Sequence, residues 1–406
     1  MDRSSGKRND YRILALCSAV YLVAYLCRLN FASALTKISI GIHASEKYIG
    51  VIPSVYFIVY ASGQMVNGFI GDRVNPYRYI LVALTGTAVA NLLISFSTQY
   101  YQILILWGAN GFFQSMFWGS LLRLLSWNFD PARYKTVATT MSISTICASI
   151  LSWSVLGTVL MEAPWNSYFL IPSLITMVFF TIWLVFAFTH RKPQRPSDID
   201  EPVSLRKSLE ILVREKLYYL CFLGFFLGFI KEGLTVWAPT LFMQSMGLDS
   251  KHSLILLMSI PIANLLGLFI VRVLLSNNHE DIRKTMLEML IGLGLCSIAL
   301  FIIGSDFPML EVLLIALLTA LANGAIWIII SYLPLVFSKT GMVSTIVGVF
   351  DFSIYMGAAV ASTFMGIMLV RYGWTAIPAS WAVSALLSCL LCLGGAGVCL
   401  RRGHNR

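Results

Sequence analysis

Tyr21-Leu22-Val23-Ala24-Tyr25-Leu26-Cys27-Arg28-Leu29-Asn30-Phe31 lies within an apolar run that extends from residue 13 to residue 35. A run of that length can cross a bilayer core, which takes about 20 helical residues. It nevertheless holds a full positive charge. A cation at the centre of a spanning helix costs about 2.5–3.5 kcal/mol on insertion scales, so Arg28 is expected to face protein, water or a ligand instead of lipid. Tyr21, Tyr25 and Arg28 stand at i, i+4 and i+7, which puts two phenols and a guanidinium on one stripe of a helix. An anionic or strongly polar group is expected opposite that stripe.

The rest of the chain has the same character. Of 406 residues 58% are hydrophobic and 12% charged, against roughly 25% charged in an average soluble domain. About twelve spans are expected, over 13–35, 49–71, 79–97, 101–122, 137–160, 167–189, 217–238, 253–275, 285–304, 310–333, 343–369 and 377–400. This is an all-α, polytopic membrane protein with the lipid bilayer as its surroundings. The polar head from Met1 to Arg12 runs into the first span without a small-residue cleavage site, so an uncleaved anchor is expected.

A net charge of +10 invites a nucleic-acid reading, but the placement of the basic residues decides against it. Of the 29 Lys and Arg, 23 fall in alternate inter-span segments: near the N-terminus, at Arg73 and Arg78, at Arg123 to Lys135, at Arg191 to Lys216, at Arg272 to Lys284, at Lys339 and at the C-terminus. The other loops hold only Lys37, Lys47, Lys251 and Arg371. By the positive-inside rule both termini and the long central loop are cytoplasmic, which requires an even number of spans. Arg28 and Lys231 are left over, and both are inside spans.

The eight cysteines all fall in apolar runs, and the Cys389-x-x-Cys392 pair has no further ligands beside it. Neither disulfides nor a metal site is expected. The five histidines, in loops and tails, do not gather with acids. The sequence therefore offers no catalytic constellation and no cofactor site, and the expectation is a protein that is not an enzyme.

One long polar stretch interrupts the apolar spans. It separates residues 1–190 from residues 217–406 by a linker over 191–216, rich in proline at first and amphipathic after Ser204. Lys231 follows Arg28 by 203 residues, half the chain, and both lie in the first span of their half. Two parallel six-helix repeats would bring both cations to similar depth on opposite sides of one cavity, the architecture of a rocking secondary transporter.

Between spans two and three stands Gly68-Phe69-Ile70-Gly71-Asp72-Arg73-Val74-Asn75-Pro76-Tyr77-Arg78, which resembles the G-x-x-x-D-R-x-x-x-R loop of the major facilitator superfamily. Its small residues allow close helix approach, and Asp72 can pair with a helix end or an arginine. Gly71, Asp72, Arg73 and Arg78 are accordingly expected to form a gating element. The span-one pattern Y-x-x-x-Y-x-x-R-x-N-F narrows the resemblance to the organophosphate:phosphate antiporters, which include the bacterial glycerol-3-phosphate and hexose-phosphate transporters. Tyr60 is similar to that family's second-span tyrosine. Gly111, Gln114, Trp118 and Arg123 match its fourth-span pattern, Gly233, Trp237 and Pro239 its seventh, and Tyr355 with Tyr372-Gly373-Trp374 its eleventh span and exit.

The resemblance implies the major facilitator fold and a secondary active transporter that exchanges a phosphate or organophosphate anion for inorganic phosphate by alternating access. Arg28 and Lys231 take the places of the two cations that grip the phosphate. Arg28 would offer a planar fork and Lys231 a point charge. Tyr21, Tyr25, Tyr60 and Tyr355 are candidate hydroxyl donors. Gln114 and Trp118, with Asn110, either line the cavity or tie helices together. Gln64, Met141, Thr145, Val236 and Asn323 depart from residues that family members use, so substrate identity does not carry over. Asp351 in span eleven and Glu232 beside Lys231 are coupling candidates: Asp351 either carries a proton, which would suit proton-coupled transport of another organic anion or a drug, or pairs structurally. A sensor that binds a phosphorylated metabolite is a further alternative. A monomer in a plasma (inner) membrane is expected.

Overall fold

The computed structural model describes residues 3–42, 46–152, 163–189, 204–245, 259–303 and 307–395. Parts of the expected fifth, eighth, ninth and twelfth spans and the first half of the linker lie outside these ranges, and the side chains of Trp237 and Pro239 lie outside the described side chains. Among the described residues, fourteen helices carry the chain: α1 Arg3–Gly41, α2 Glu46–Gly71, α3 Pro76–Ser95, α4 Tyr100–Gln114, α5 Phe117–Asn128, α6 Tyr134–Ile150, α7 Ser167–Thr189, α8 Leu205–Arg214, α9 Tyr218–Ser245, α10 Ser259–Asn277, α11 Ile282–Ile303, α12 Pro308–Trp327, α13 Val343–Tyr372 and α14 Ile377–Leu393. Short turns add to them, among them Leu333–Val336. Each expected span falls on one or two of these helices. By length and composition seven described helices can cross a membrane, or up to eight if the bent pair α8 and α9 counts as one span. Large apolar side chains such as Ile105, Phe188, Leu295 and Ile302 are exposed on them, as lipid-facing residues are.

The chain divides into two compact units. The first comprises Met1–Val203 with Pro334–Val349, the second Ser204–Leu333 with Phe350–Arg406. In the first, α2 packs on α4, α3 on α4 and α7, and α1 on α6 and α7. In the second, α10 packs on α12, α11 on α12 and α14, and α9 on α12 and α14.

Local chemistry explains where the elements stop and bend. Asn75 caps α3 by accepting from the amides of Tyr77 and Arg78, with Pro76 at the first helical position, where its missing N–H costs nothing. The expected fourth span is broken between α4 and α5. There Ser115 Oγ donates to Phe112 O at 2.6 Å and Asn67 Nδ2 donates to the same carbonyl at 3.2 Å. Met116 N turns to Phe113 O instead, a kink made by side chains competing for a helix carbonyl.

α8 ends in a Schellman turn. Leu217 N reaches back to Leu212 O at 2.9 Å and Lys216 N to Val213 O at 3.0 Å, with Lys216 in the left-handed region at φ 59° and Leu212 and Leu217 both buried. This is the hydrogen-bond pattern usually completed by glycine. It turns the chain by 80° into α9.

Candidate functional site

The first unit builds a collar of phenols around one cation. The guanidinium carbon of Arg28 lies 4.4 Å from the ring centroid of Tyr60, 5.1 Å from that of Tyr25 and 5.8 Å from that of Tyr56. At such distances each ring attracts the cation through its quadrupole, by about 0.5–2 kcal/mol depending on desolvation. Aromatic faces stabilise a guanidinium without cancelling its charge. Tyr21 continues the stripe: its ring packs on Tyr25 at 5.4 Å and on Trp118 at 4.7 Å.

The collar rests on buried amides. Gln64 Nε2 donates to the Tyr60 hydroxyl at 2.6 Å, which fixes where that phenol oxygen sits. Gln114 Nε2 donates to Ala24 O at 2.8 Å and Asn110 Nδ2 to Cys27 O at 2.9 Å. These two carbonyls lie within one turn of Arg28, so α4 holds the register of α1 at the cation. Gln114 and Asn110 thus tie helices together, one of the two roles the sequence left open for them. Behind them Asn30 Nδ2 donates to Asn91 Oδ1 at 2.9 Å and Asn91 Nδ2 to Asn110 Oδ1 at 3.2 Å. All three asparagines are buried, and a buried amide network of this kind specifies one arrangement because each unmade bond is expensive.

Two residues of this site were missed by sequence reasoning. Asn91 is a lone amide in a span. Tyr56 precedes Tyr60 by one turn; its ring stacks on Tyr60 at 5.8 Å and on Trp107 at 5.0 Å, and its buried hydroxyl has no hydrogen-bond partner among the described residues. The repeated i, i+4 spacing of Tyr21/Tyr25 and Tyr56/Tyr60 was the available signal.

The loop after α2 forms a second constellation. Asp72 Oδ1 and Oδ2 accept from the amides of Ser344 at 2.9 Å and Thr345 at 2.7 Å, in the first turn of α13, where unsatisfied N–H groups and the positive end of the helix dipole favour a carboxylate. Arg123 Nε is 3.8 Å from the same carboxylate, and its guanidinium donates to Gly71 O and, at 2.7 Å, to Val74 O. Asp72 therefore uses both a helix end and an arginine. Burial pushes its carboxyl above the ordinary range, opposed by Thr345, Arg123 and the amides. Arg73 lies over the Phe69 ring at 3.2 Å, and Arg78 is exposed. A Cβ on Gly68 would sit 2.5 Å from Ser344 O and one on Gly71 3.1 Å from Ser344 Cβ, which is the close approach that small residues permit.

In the second unit Lys231 Nζ meets Glu232 Oε1 at 2.9 Å, both side chains being partly exposed. A Cβ on Gly228 would strike the carbonyl of Ile354, and one on Gly357 the carbonyl of Phe225, so the α9 and α13 backbones touch along the stripe that carries Lys231. The register of these contacts sets Asp351 near the level of Cys221 to Gly224, roughly 12 Å along the helix pair from Lys231 at about 1.5 Å per residue. Asp351 is buried and Tyr355 half-buried. Asn323 Nδ2 donates to Asn264 O at 2.9 Å.

A family model described as Major Facilitator Superfamily matches residues 17–359. The chain belongs to the Major Facilitator Superfamily. As a member it is a multi-pass membrane protein of a family of transporters, with the all-helical major facilitator fold. It is 25% identical over 256 residues to the glycerol-3-phosphate transporter of Bacillus subtilis, covering 57% of each chain. It is 32% identical over 100 residues to the membrane sensor protein UhpC of Escherichia coli, covering 25% of this chain and 22% of that one. With a probable hexose phosphate transport protein of Chlamydia trachomatis it shares 24% over 158 residues, 39% of this chain and 35% of the relative. The matched regions thus span between a fifth and somewhat over half of these relatives. Their names bear out the organophosphate resemblance of the sequence. The fucose:proton symporter FucP of E. coli superposes with a TM-score of 0.74 at 12% identity, covering 95% of this chain and 98% of its own, and the proton:xylose symporter XylE with 0.72 at 11% identity, covering 95% of each. These two speak for the fold alone.

Proposed function

We propose that the protein is a transporter, not an enzyme, that moves a phosphate or organophosphate anion by alternating access in exchange for inorganic phosphate. Arg28 and Lys231 supply the cations for the anion, with Tyr21, Tyr25, Tyr60 and Tyr355 as hydroxyl donors. The observation that carries this reading is the collar: a guanidinium lodged among three phenol rings, beside a tyrosine hydroxyl oriented by Gln64. Such a site attracts a dianion, and the fork of an arginine matches two phosphate oxygens. A chain with a cation in each half gains from carrying an anion on both legs of its cycle, which favours exchange over one-way flux. The protein acts as a monomer in the plasma (inner) membrane with both termini cytoplasmic, and residues 1–190 and 217–406 form the two bundles joined by 191–216.

Counterflow of labelled phosphate into phosphate-loaded proteoliposomes tests the reading. Uptake is expected to require internal phosphate and to fall by at least about thirtyfold in Arg28→Ala and in Lys231→Ala, the cost of truncating one partner of a charged contact. Well-folded protein that shows no uptake would overturn it. Two other readings rest on specific observations. The buried Asp351 favours proton coupling, in which case uptake follows an imposed pH gradient and Asp351→Asn abolishes that dependence. The identity with UhpC favours a sensor, in which case phosphate esters bind and no flux follows.

A further inference from the structure

Anion transport makes no use of α8, the amphipathic helix after Ser204. Leu212 and Ser208 are buried, whereas Leu209 and Val213, one turn apart on the adjoining stripe, are 54% and 63% exposed. Arg206, Lys207 and Arg214 are exposed on the same helix. Among the described residues the carboxylates that pair with them are Glu210, 3.2 Å from Arg206, and the buried Glu215, 3.5 Å from Arg214. Three exposed cations thus face one exposed carboxylate. The apolar stripe continues past the surface that protein covers, and its rim is basic.

We infer that α8 lies in the headgroup layer of the cytoplasmic leaflet, with Leu209 and Val213 inserted among acyl chains, Arg206 and Arg214 against anionic lipid phosphates, and Lys207 turned away from the bilayer where its charge adds to the attraction at longer range. The geometry sets both orientation and depth. α8 is turned by 80° from the first part of α9, the helix that carries the expected seventh span, so where α9 crosses the membrane α8 runs nearly parallel to its plane. It ends a few residues before α9 begins, which is the level at which a span leaves the hydrocarbon. The Schellman turn at Lys216 fixes the angle. A helix that exposes an apolar stripe with a basic rim at that level has the make-up of an interfacial helix. Its three cations match the negative surface of the cytoplasmic leaflet.

The test places a photoreactive benzophenone residue at position 209, 213 or 207 of the full chain. Each protein is reconstituted in vesicles of phosphatidylcholine, with or without phosphatidylglycerol. Mass spectrometry after illumination should find lipid adducts at 209 and 213 exceeding those at 207, on the far side of the helix, by about fivefold or more. Adding phosphatidylglycerol should raise the yield at 209, and the combined Arg206→Ser, Lys207→Ser, Arg214→Ser variant should lose about fivefold or more of that rise, a factor that one basic residue's attraction can supply. Equal yields at the three positions, or adducts to polypeptide at 209 and 213, would overturn the proposal. A yield indifferent to phosphatidylglycerol would overturn the choice of anionic lipid. Counterflow measured on the same vesicles reads the transport site separately, so a failure of α8 to meet lipid is distinguishable from a failure of the anion site.

Discussion

Tyr56 and Tyr60 differ by one hydrogen bond, and that difference decides what each tolerates. The Tyr56 hydroxyl is buried without a partner among the described residues, so Tyr56→Phe removes an unsatisfied group and is expected to leave the melting temperature unchanged or slightly raised. Gln64→Leu takes the donor from a buried phenol and is expected to cost about 1–3 kcal/mol. Thermal unfolding of the purified proteins checks both. If the Tyr56 hydroxyl meets substrate, Tyr56→Phe raises the KM of phosphate counterflow at unchanged stability. Arg28 was legible in the sequence because a charge in an apolar run violates a large solvation penalty. Tyr56 and Asn91 were not, because a phenol or a neutral amide in a span carries no such penalty, and only the packing of α2 and α3 against their neighbours brings them to the site.

At the scale of elements, the first two turns of α13 are held to α2 by contacts that leave no room for a side chain. A Cβ on Gly348 would collide with the carbonyl of Gln64, a backbone atom that cannot rotate away. Gly348→Ala is therefore expected to destabilise by about 1–3 kcal/mol, as overpacking does, and to do so more than Gly294→Ala, whose nearest neighbour would be Ala385 Cβ at 3.7 Å. Chemical denaturation or thermal unfolding distinguishes the two. The spans themselves were plain from the length of the apolar runs. The break at Ser115 and the π-helical turn over Ile328–Tyr332, where Trp327 and Tyr332 stack at 5.5 Å, were not, since hydropathy is blind to which carbonyl a neighbouring helix engages.

For the whole molecule, a ligand that binds only the folded chain must stabilise it. Inorganic phosphate at about a hundred times its Kd should add roughly 2.7 kcal/mol, seen as a concentration-dependent rise in Tm that Arg28→Ala abolishes. A Tm indifferent to phosphate in protein active for transport would assign the cargo elsewhere. The all-helical major facilitator fold was legible at this scale because the long apolar runs and the Gly68–Arg78 loop motif mark it. The division of the chain within α13, between Val349 and Phe350, was not, because it depends on Asp72 reaching a helix end more than 270 residues away.

The meeting of α9 and α13 through Gly228 and Gly357 has a mechanical meaning. With carbonyls in the place of side chains the two backbones bear directly on each other, so α9 cannot move toward α13 without pushing it. A spectroscopic probe at Tyr355 would then register a displacement of α9 near Lys231 as a movement of its own helix.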